Sequence, residues 1–234
     1  MKAGIVRFPG SNCDEDAYRA VADLMGQEAV YLWHKDHDLQ QADVIILPGG
    51  FSYGDYLRAG AIARFSPIMQ EVVAFAKRGG PVLAICNGFQ IACEAGLLPG
   101  ALLRNASLRF ISAPIDLRVE TIATRFTNQY HIGQVIRMPV AHGDGRYTAD
   151  ADTLARLEGE GQVVFRYVTP AGEATDSANP NGSMRNIAGI VSAAGNVLGM
   201  MPHPERAMEA ALGSTDGSAL LASFLDLTLQ HAHS

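Results

Sequence analysis

Two four-residue segments of this chain, Val44-Ile45-Ile46-Leu47 and Val82-Leu83-Ala84-Ile85, contain only aliphatic residues. A strand with one wet face alternates polar and apolar side chains. A strand with no polar position must be covered on both faces, which is the situation of a parallel strand under helices. Each segment runs straight into small residues: Pro48-Gly49-Gly50 after the first, Cys86-Asn87-Gly88 after the second. The chain must therefore turn sharply at both strand ends, close to its own backbone.

The same logic extends in both directions. Ala3 to Phe8 and Ala29 to Trp33 read as further strands, with a helix from Asp14 to Met25 between them. Asn12 is its expected cap and Gly26 its stop. Pro67 to Arg78 reads as a helix closed by Gly79-Gly80, and Phe89 to Ala95 as the helix after Cys86. This β-α-β-α order predicts an α/β fold with a largely parallel central sheet flanked by helices. After Ile111 the runs shorten and partly alternate: Ile115 to Val119, Val135 to Val140 and Val163 to Val168. These predict a smaller mixed or antiparallel portion, with a short helix from Asp152 to Leu157. Thr169 to Asn186 is polar and rich in Gly, Pro and Asn, a long loop that is either a docking element or merely solvated. Ile187 to Ser192 and Val197 to Met201 return to the sheet, and Ser218 to Leu229 closes the chain as a helix. No repeat or linker interrupts residues 1–234, so one domain is expected.

Composition removes whole classes of function. A formal charge of -6 with no basic cluster argues against a nucleic-acid surface. No window of about 18 uncharged apolar residues predicts a membrane span. Arg7 and Pro9 interrupt the first apolar run, which is not that of a signal peptide. Cys13, Cys86 and Cys93 are odd in number and widely spaced, as expected of reduced thiols in a cytoplasmic protein. No metal-binding spacing of Cys or His is present, so no metal is expected.

Cys86 sits at an apolar strand end with Ala84 two before it, Gly88 two after it and a helix beginning at once. That is the layout of a nucleophile elbow. The free N–H groups and dipole of the helix start favour a thiolate and can receive an oxyanion. The other reading of such a cysteine is a small core residue. A cysteine nucleophile needs a base and something to orient it. His203-Pro204-Glu205 and His142-Gly143-Asp144 each follow a strand and place a carboxylate two residues beyond a histidine, on the same side of an extended backbone. The prolines around His203 stiffen the first pair, and the glycines beside Asp144 loosen the second. Pro48 to Asp55 is either a plain Gly-rich turn or a source of backbone donors beside the N–H of Asn87.

Six segments, in order, carry a resemblance: Phe8 to Asp14, Pro48 to Asp55, Cys86 to Gln90, Leu103 to Asn105, Asn179 to Ser183 and Pro202 to Arg206. Together they resemble the class I (triad) glutamine amidotransferases, in particular the branch serving a synthase of purine biosynthesis. Ala84 departs from the glycine common at that position. The resemblance implies a flavodoxin-like sheet and a glutaminase that releases ammonia from glutamine. It implies Cys86 as nucleophile, His203 as proton shuttle and Glu205 as its orienting carboxylate. Gly49, Gly50, Phe51, Asn87 and Gly88 would form the oxyanion region. Gln90, Arg109 and Phe110 would hold the substrate, and His142 would have a structural or pocket-rim role. It also implies partners: a large synthase subunit that binds ATP, Mg2+ and formylglycinamide ribonucleotide, and a small bridging subunit. This chain would carry no cofactor of its own. A regulatory subunit without catalysis is the competing reading.

Overall fold

A computed structural model describes residues 1–227. The chain runs β1 (Lys2–Arg7), α1 (Asp14–Arg19), β2 (Glu28–Trp33), β3 (Val44–Leu47), α2 (Pro67–Lys77), β4 (Val82–Ile85) and α3 (Asn87–Glu94). It continues through β5 (Ala101–Leu103), β6 (Ile111–Val119), β7 (Val135–His142), β8 (Arg146–Thr148), α4 (Ala151–Gly159) and β9 (Val163–Tyr167). β10 (Ile187–Val191), β11 (Val197–Met200) and α5 (Gly217–Phe224) complete it.

Nine strands form one sheet in the order β2-β1-β3-β4-β11-β10-β9-β6-β7. The first five are parallel. The last four pair antiparallel. The antiparallel portion is thus a continuation of the parallel sheet rather than a layer of its own. Every residue of β3, β4, β10 and β11 is buried. That burial is why these strands carry no alternation. β5 and β8 form a separate two-stranded sheet that the sequence did not suggest.

Local chemistry sets the helix ends. α2 starts with Pro67, whose missing N–H lies where no helical partner exists, and stops before Gly79 at φ +89°. Its Ile68, Met69, Val72 and Ala76 form the buried stripe. Each large one contributes roughly 1.5–3 kcal/mol by leaving water. At α1 the expected cap is corrected. Cys13, not Asn12, occupies the capping position, and α1 widens into a π turn over Ala20–Leu24. Asn12 Oδ1 instead accepts the Cys13 thiol at 3.2 Å. The closing helix ends at Phe224 within the described residues, and Leu229 lies outside them. No helix of the described residues is long and apolar enough to cross a membrane.

The loops that matter leave the carboxyl ends of four adjacent parallel strands. β1 leads to Phe8–Cys13, β3 to Pro48–Asp55, β4 to Cys86 and β11 to His203. The crevice outside those ends is where open α/β sheets bind ligands.

Candidate active site

Cys86 stands between β4 and α3 at φ +51° and ψ -106°. A non-glycine residue there is strained, by roughly 1–3 kcal/mol, and such strain persists only where the surroundings enforce it. The enforcement is visible. Cys86 N–H donates to Met200 O at 2.8 Å, and the N–H groups of Phe89 and Gln90 donate back to Cys86 O. Gly88 lets the turn close, since a Cβ there would lie 2.0 Å from Leu47 O. Gly199 on β11 leaves room for Phe89, whose ring a Cβ would meet at 2.2 Å. Cys86 as a whole is 5% exposed.

β11 pairs with β4, so His203 arrives beside Cys86 from the neighbouring strand. His203 N–H donates to Pro139 O on β7, which fixes the loop. Its Nδ1 lies 2.6 Å from Glu205 Oε1, with both side chains 1% exposed. Burial alone would lower the imidazole's pKa. The Glu205 carboxylate, and then Cys86, reverse that and raise it. Glu205 holds the Nδ1 proton, so Nε2 is the nitrogen left for chemistry. Nε2 is buried without a hydrogen-bond partner, as is Glu205 Oε2. Gly49 permits this approach. A Cβ on it would be 2.8 Å from His203 Cε1 and 3.4 Å from Cys86 Cβ. Thiol, imidazole and carboxylate in this arrangement can perform nucleophilic acyl transfer.

Two backbone donors flank the thiol. The N–H of Asn87 opens α3 and has no helical acceptor. Of the loop residues expected in the oxyanion region, Phe51 is excluded, because its N–H donates to Gly10 O at 3.0 Å, while Gly50 lines the cavity beside Cys86. The Phe51 ring is a wall of the cavity instead.

That cavity, about 230 Å³, lies over Cys86 and is lined by Gly50, Gln90, Arg109, Phe110, Asp55 and Asp144 among others. It is smaller than the about 300–1,000 Å³ of sites for drug-sized ligands, and suits a small metabolite. Gln90 is buried, donating from Nε2 to Asp144 O at 2.6 Å and accepting from Asn87 Nδ2 at 2.7 Å.

Residues 1–218 match the sequence profile of the CobB/CobQ-like glutamine amidotransferase domain. The chain belongs to the glutamine amidotransferase family. Phosphoribosylformylglycinamidine synthase subunit PurQ of Moorella thermoacetica is 60% identical over 226 residues, spanning 97% of this chain and 96% of that protein. The subunit PurQ of Salinibacter ruber is 60% identical over 223 residues, 95% of each chain. A chain of the PurLQS structure from Thermotoga maritima superposes with a TM-score of 0.85 at 46% identity, covering 96% of this chain and 97% of that one.

In this amidotransferase the second His-x-acid pair is not assembled. His142 Nδ1 lies 3.1 Å from Asn105 Oδ1, and Asn181 Nδ2 lies 3.5 Å from its Nε2. Those partners assign the neutral Nδ1–H form. Burial, then the charge of His203, pushes its pKa down to about 4. The Asp144 carboxylate points elsewhere, 3.9 Å from Arg104. The long polar loop backs this wall. Asn179 Oδ1 accepts from the N–H groups of Gly182 and Ser183, and buried Asn181 reaches Gly145 O at 2.8 Å.

One neighbour of the amidotransferase site was not anticipated. Cys13 brings a second thiol beside His203, on the Gly49 side that Cys86 also faces. Cys13, His203 and Glu205 each place a potential ligand atom within 4.8 Å of the others. The trio is poorly made for a cation, because Arg206 Nη2 sits 3.2 Å from the Cys13 sulfur. Burial, then Glu205, pushes the Cys13 thiol up to about 12, so it stays neutral.

Proposed function

We propose that this chain is the glutaminase subunit of a phosphoribosylformylglycinamidine synthase, with Cys86, His203 and Glu205 as its triad. The strained elbow that sets Cys86 beside the imidazole of His203, whose Nε2 has no hydrogen-bond partner, carries this reading. Cys86 is preferred over Cys13 for three reasons. It faces the cavity, it adjoins the free N–H of Asn87, and among the described residues no guanidinium donates to its sulfur.

His203 Nε2 takes the thiol proton, and the sulfur attacks the carboxamide carbon of glutamine. The carbonyl oxygen becomes an oxyanion between the N–H groups of Gly50 and Asn87. One such donor is worth about 3 kcal/mol of transition-state stabilisation. The imidazolium, held by Glu205, gives its proton to the departing nitrogen, and ammonia leaves a γ-glutamyl thioester on Cys86. Water then loses a proton to Nε2, attacks the thioester, and releases glutamate and the thiol. Gln90 shapes the pocket rather than the chemistry, because its amide is engaged at both ends. Arg109 and Phe110 line the outer wall, where the α-groups of glutamine would lie.

Every step uses groups of this one amidotransferase domain. ATP, Mg2+ and formylglycinamide ribonucleotide belong to a partner synthase subunit, which takes the ammonia to make formylglycinamidine ribonucleotide. A small subunit completes the complex. The test is ammonia release from glutamine, alone and with the synthase subunits, ATP and formylglycinamide ribonucleotide. Release that disappears in Cys86→Ala and persists in Cys13→Ala supports the reading. Release that survives Cys86→Ala would overturn it.

A further inference from the structure

We infer that Asp55, seconded by Asp144, is the acceptor for the α-ammonium group of the substrate and sets the enzyme's preference for a free amino acid over its des-amino analogue. The inference rests on the glutaminase reading above and goes beyond it.

Both carboxylates line the cavity that also holds Cys86. Asp55 makes no ion pair among the described residues. Its one hydrogen-bond contact is Asn87 Nδ2, 3.2 Å from Oδ1. Asp144 has only the long contact to the exposed Arg104. Arg104 and Arg109 line the same cavity, but neither pairs with Asp55, whose carboxylate is left facing Asp144 without a cation of its own; burial followed by Asp144 pushes the Asp55 pKa up to about 6.

The acids are fixed relative to the nucleophile. Asn87 follows Cys86 directly, accepts from Ser52 N–H at 3.0 Å and donates to both Asp55 and Gln90. Gln90 then holds the Asp144 carbonyl at 2.6 Å. One turn of α3 thus spaces both acids from the thiol. His203 lies in the smaller adjoining cavity that Cys86 also lines, with its Nε2 buried and unpartnered.

The loop that delivers Asp55 is strained for the purpose. Tyr53, Asp55 and Leu57 all have positive φ, at +54°, +53° and +70°. Tyr53 anchors it through His34 Nδ1 at 2.6 Å and Ser66 Oγ at 2.9 Å. Left-handed backbone at three non-glycine residues is costly, and such strain gathers at ligand clamps.

The cation's class follows from the donors. Mg2+ or Ca2+ wants six or more oxygens in a shell, and two carboxylates beside backbone do not supply them. A primary ammonium has three donors and needs about three acceptors. A substrate whose carboxamide carbon reaches Cys86 carries such a group at its far end.

The experiment uses the reconstituted synthase complex and two substrates, glutamine and 5-amino-5-oxopentanoate, which is glutamine without the α-amino group. In Asp55→Asn, kcat/KM for glutamine should fall roughly 10–100-fold, the worth of a charge-assisted hydrogen bond, and the analogue's should not. Asp144→Asn should move the ratio in the same direction by less. Melting curves of the variants and their co-elution with the synthase subunits on gel filtration report that they fold and assemble. If both substrates lose equally, or the ratio does not move in either variant, the inference is overturned. Those results are distinct from failure of the glutaminase reading, which would show as Cys86→Ala remaining active on glutamine.

Discussion

Gly88→Ala tests the elbow with one methyl group. The added Cβ would lie 2.0 Å from Leu47 O, 2.7 Å from Leu47 C and 2.9 Å from Leu47 Cβ, where ordinary contact begins near 3.4 Å. The obstacle is the end of β3, so no side-chain rotation relieves it. The start of α3 must back away from β3 by about 1.4 Å, the difference between those two distances. Gly88 has no positive φ, so alanine's ordinary advantage in a helix, about 1 kcal/mol, works in the opposite direction. Overpacking a rigid site costs about 1–3 kcal/mol or more. At about 2–4 °C per kcal/mol for a chain of this size, the melting temperature should fall by roughly 2–12 °C. Activity should suffer more. The same retreat pulls the N–H of Asn87 away from that of Gly50, and a misplacement of about 1 Å can cost 100-fold. Gly159→Ala is the control: it closes α4, and nothing lies within 4 Å of its added Cβ. It should leave both quantities unchanged or raise stability slightly. Melting curves and glutamine-dependent ammonia release measure the pair. A Gly88→Ala protein with wild-type kcat/KM and melting temperature would refute the claim that elbow closure positions the thiol.

Glu205→Gln keeps an acceptor for Nδ1–H but removes the charge that stabilises the imidazolium. It should lower kcat by about 100–10,000-fold with little change in fold, read by single-turnover kinetics and circular dichroism. His142 couples stability to pH. Its pKa is about 4 in the folded protein against about 6.5 when unfolded, so the unfolded chain binds more protons between those values. Its stabilisation is complete above about pH 6.5 and is lost as pH falls toward 4. Between pH 7 and pH 5 the wild type should lose about 2 kcal/mol more than His142→Gln in denaturant titrations; equal losses would remove His142 from the account. Asn196→Ala strands the carbonyl of Gly80, now accepting at 2.8 Å, and takes one of two donors from that of Ala76, which keeps Gly79 N–H at 2.9 Å. It should cost about 1–3 kcal/mol in thermal unfolding while ammonia release stays at the wild-type rate, because it lies at the sheet's opposite end.

Much of this architecture is legible from one physical fact: strands covered on both faces have no polar positions. Val44–Leu47 and Val82–Ile85 coincide with β3 and β4 for that reason. β5 and β8 escaped because three residues are too few to show a period. Choosing His203 over His142 required knowing that β11 lies beside β4, which no local pattern records. The long polar loop could be recognised as polar, but which amide meets which carbonyl depends on the whole wall behind His142. Cys13 is the clearest case. It lies 190 positions from His203, and nothing near it in the chain announces a second thiol beside the imidazole. The donation of Phe51 N–H to Gly10 O is equally long-range in origin, since it needs the β1 and β3 loops side by side.

The pairing of β4 with β11 has a consequence for the protein's birth. Val82 and Val197 are neighbours in the sheet but about 115 residues apart in the chain. At about 5–20 residues per second of synthesis, the strand bearing Cys86 waits roughly 6–23 s for its partner. Until β11 emerges, β4 is an unprotected sheet edge of four aliphatic residues, a template for wrong pairing. Over the same interval the thiol has no imidazole and cannot turn over. A nascent chain is therefore chemically silent, and the step that hides its stickiest edge is the one that switches it on.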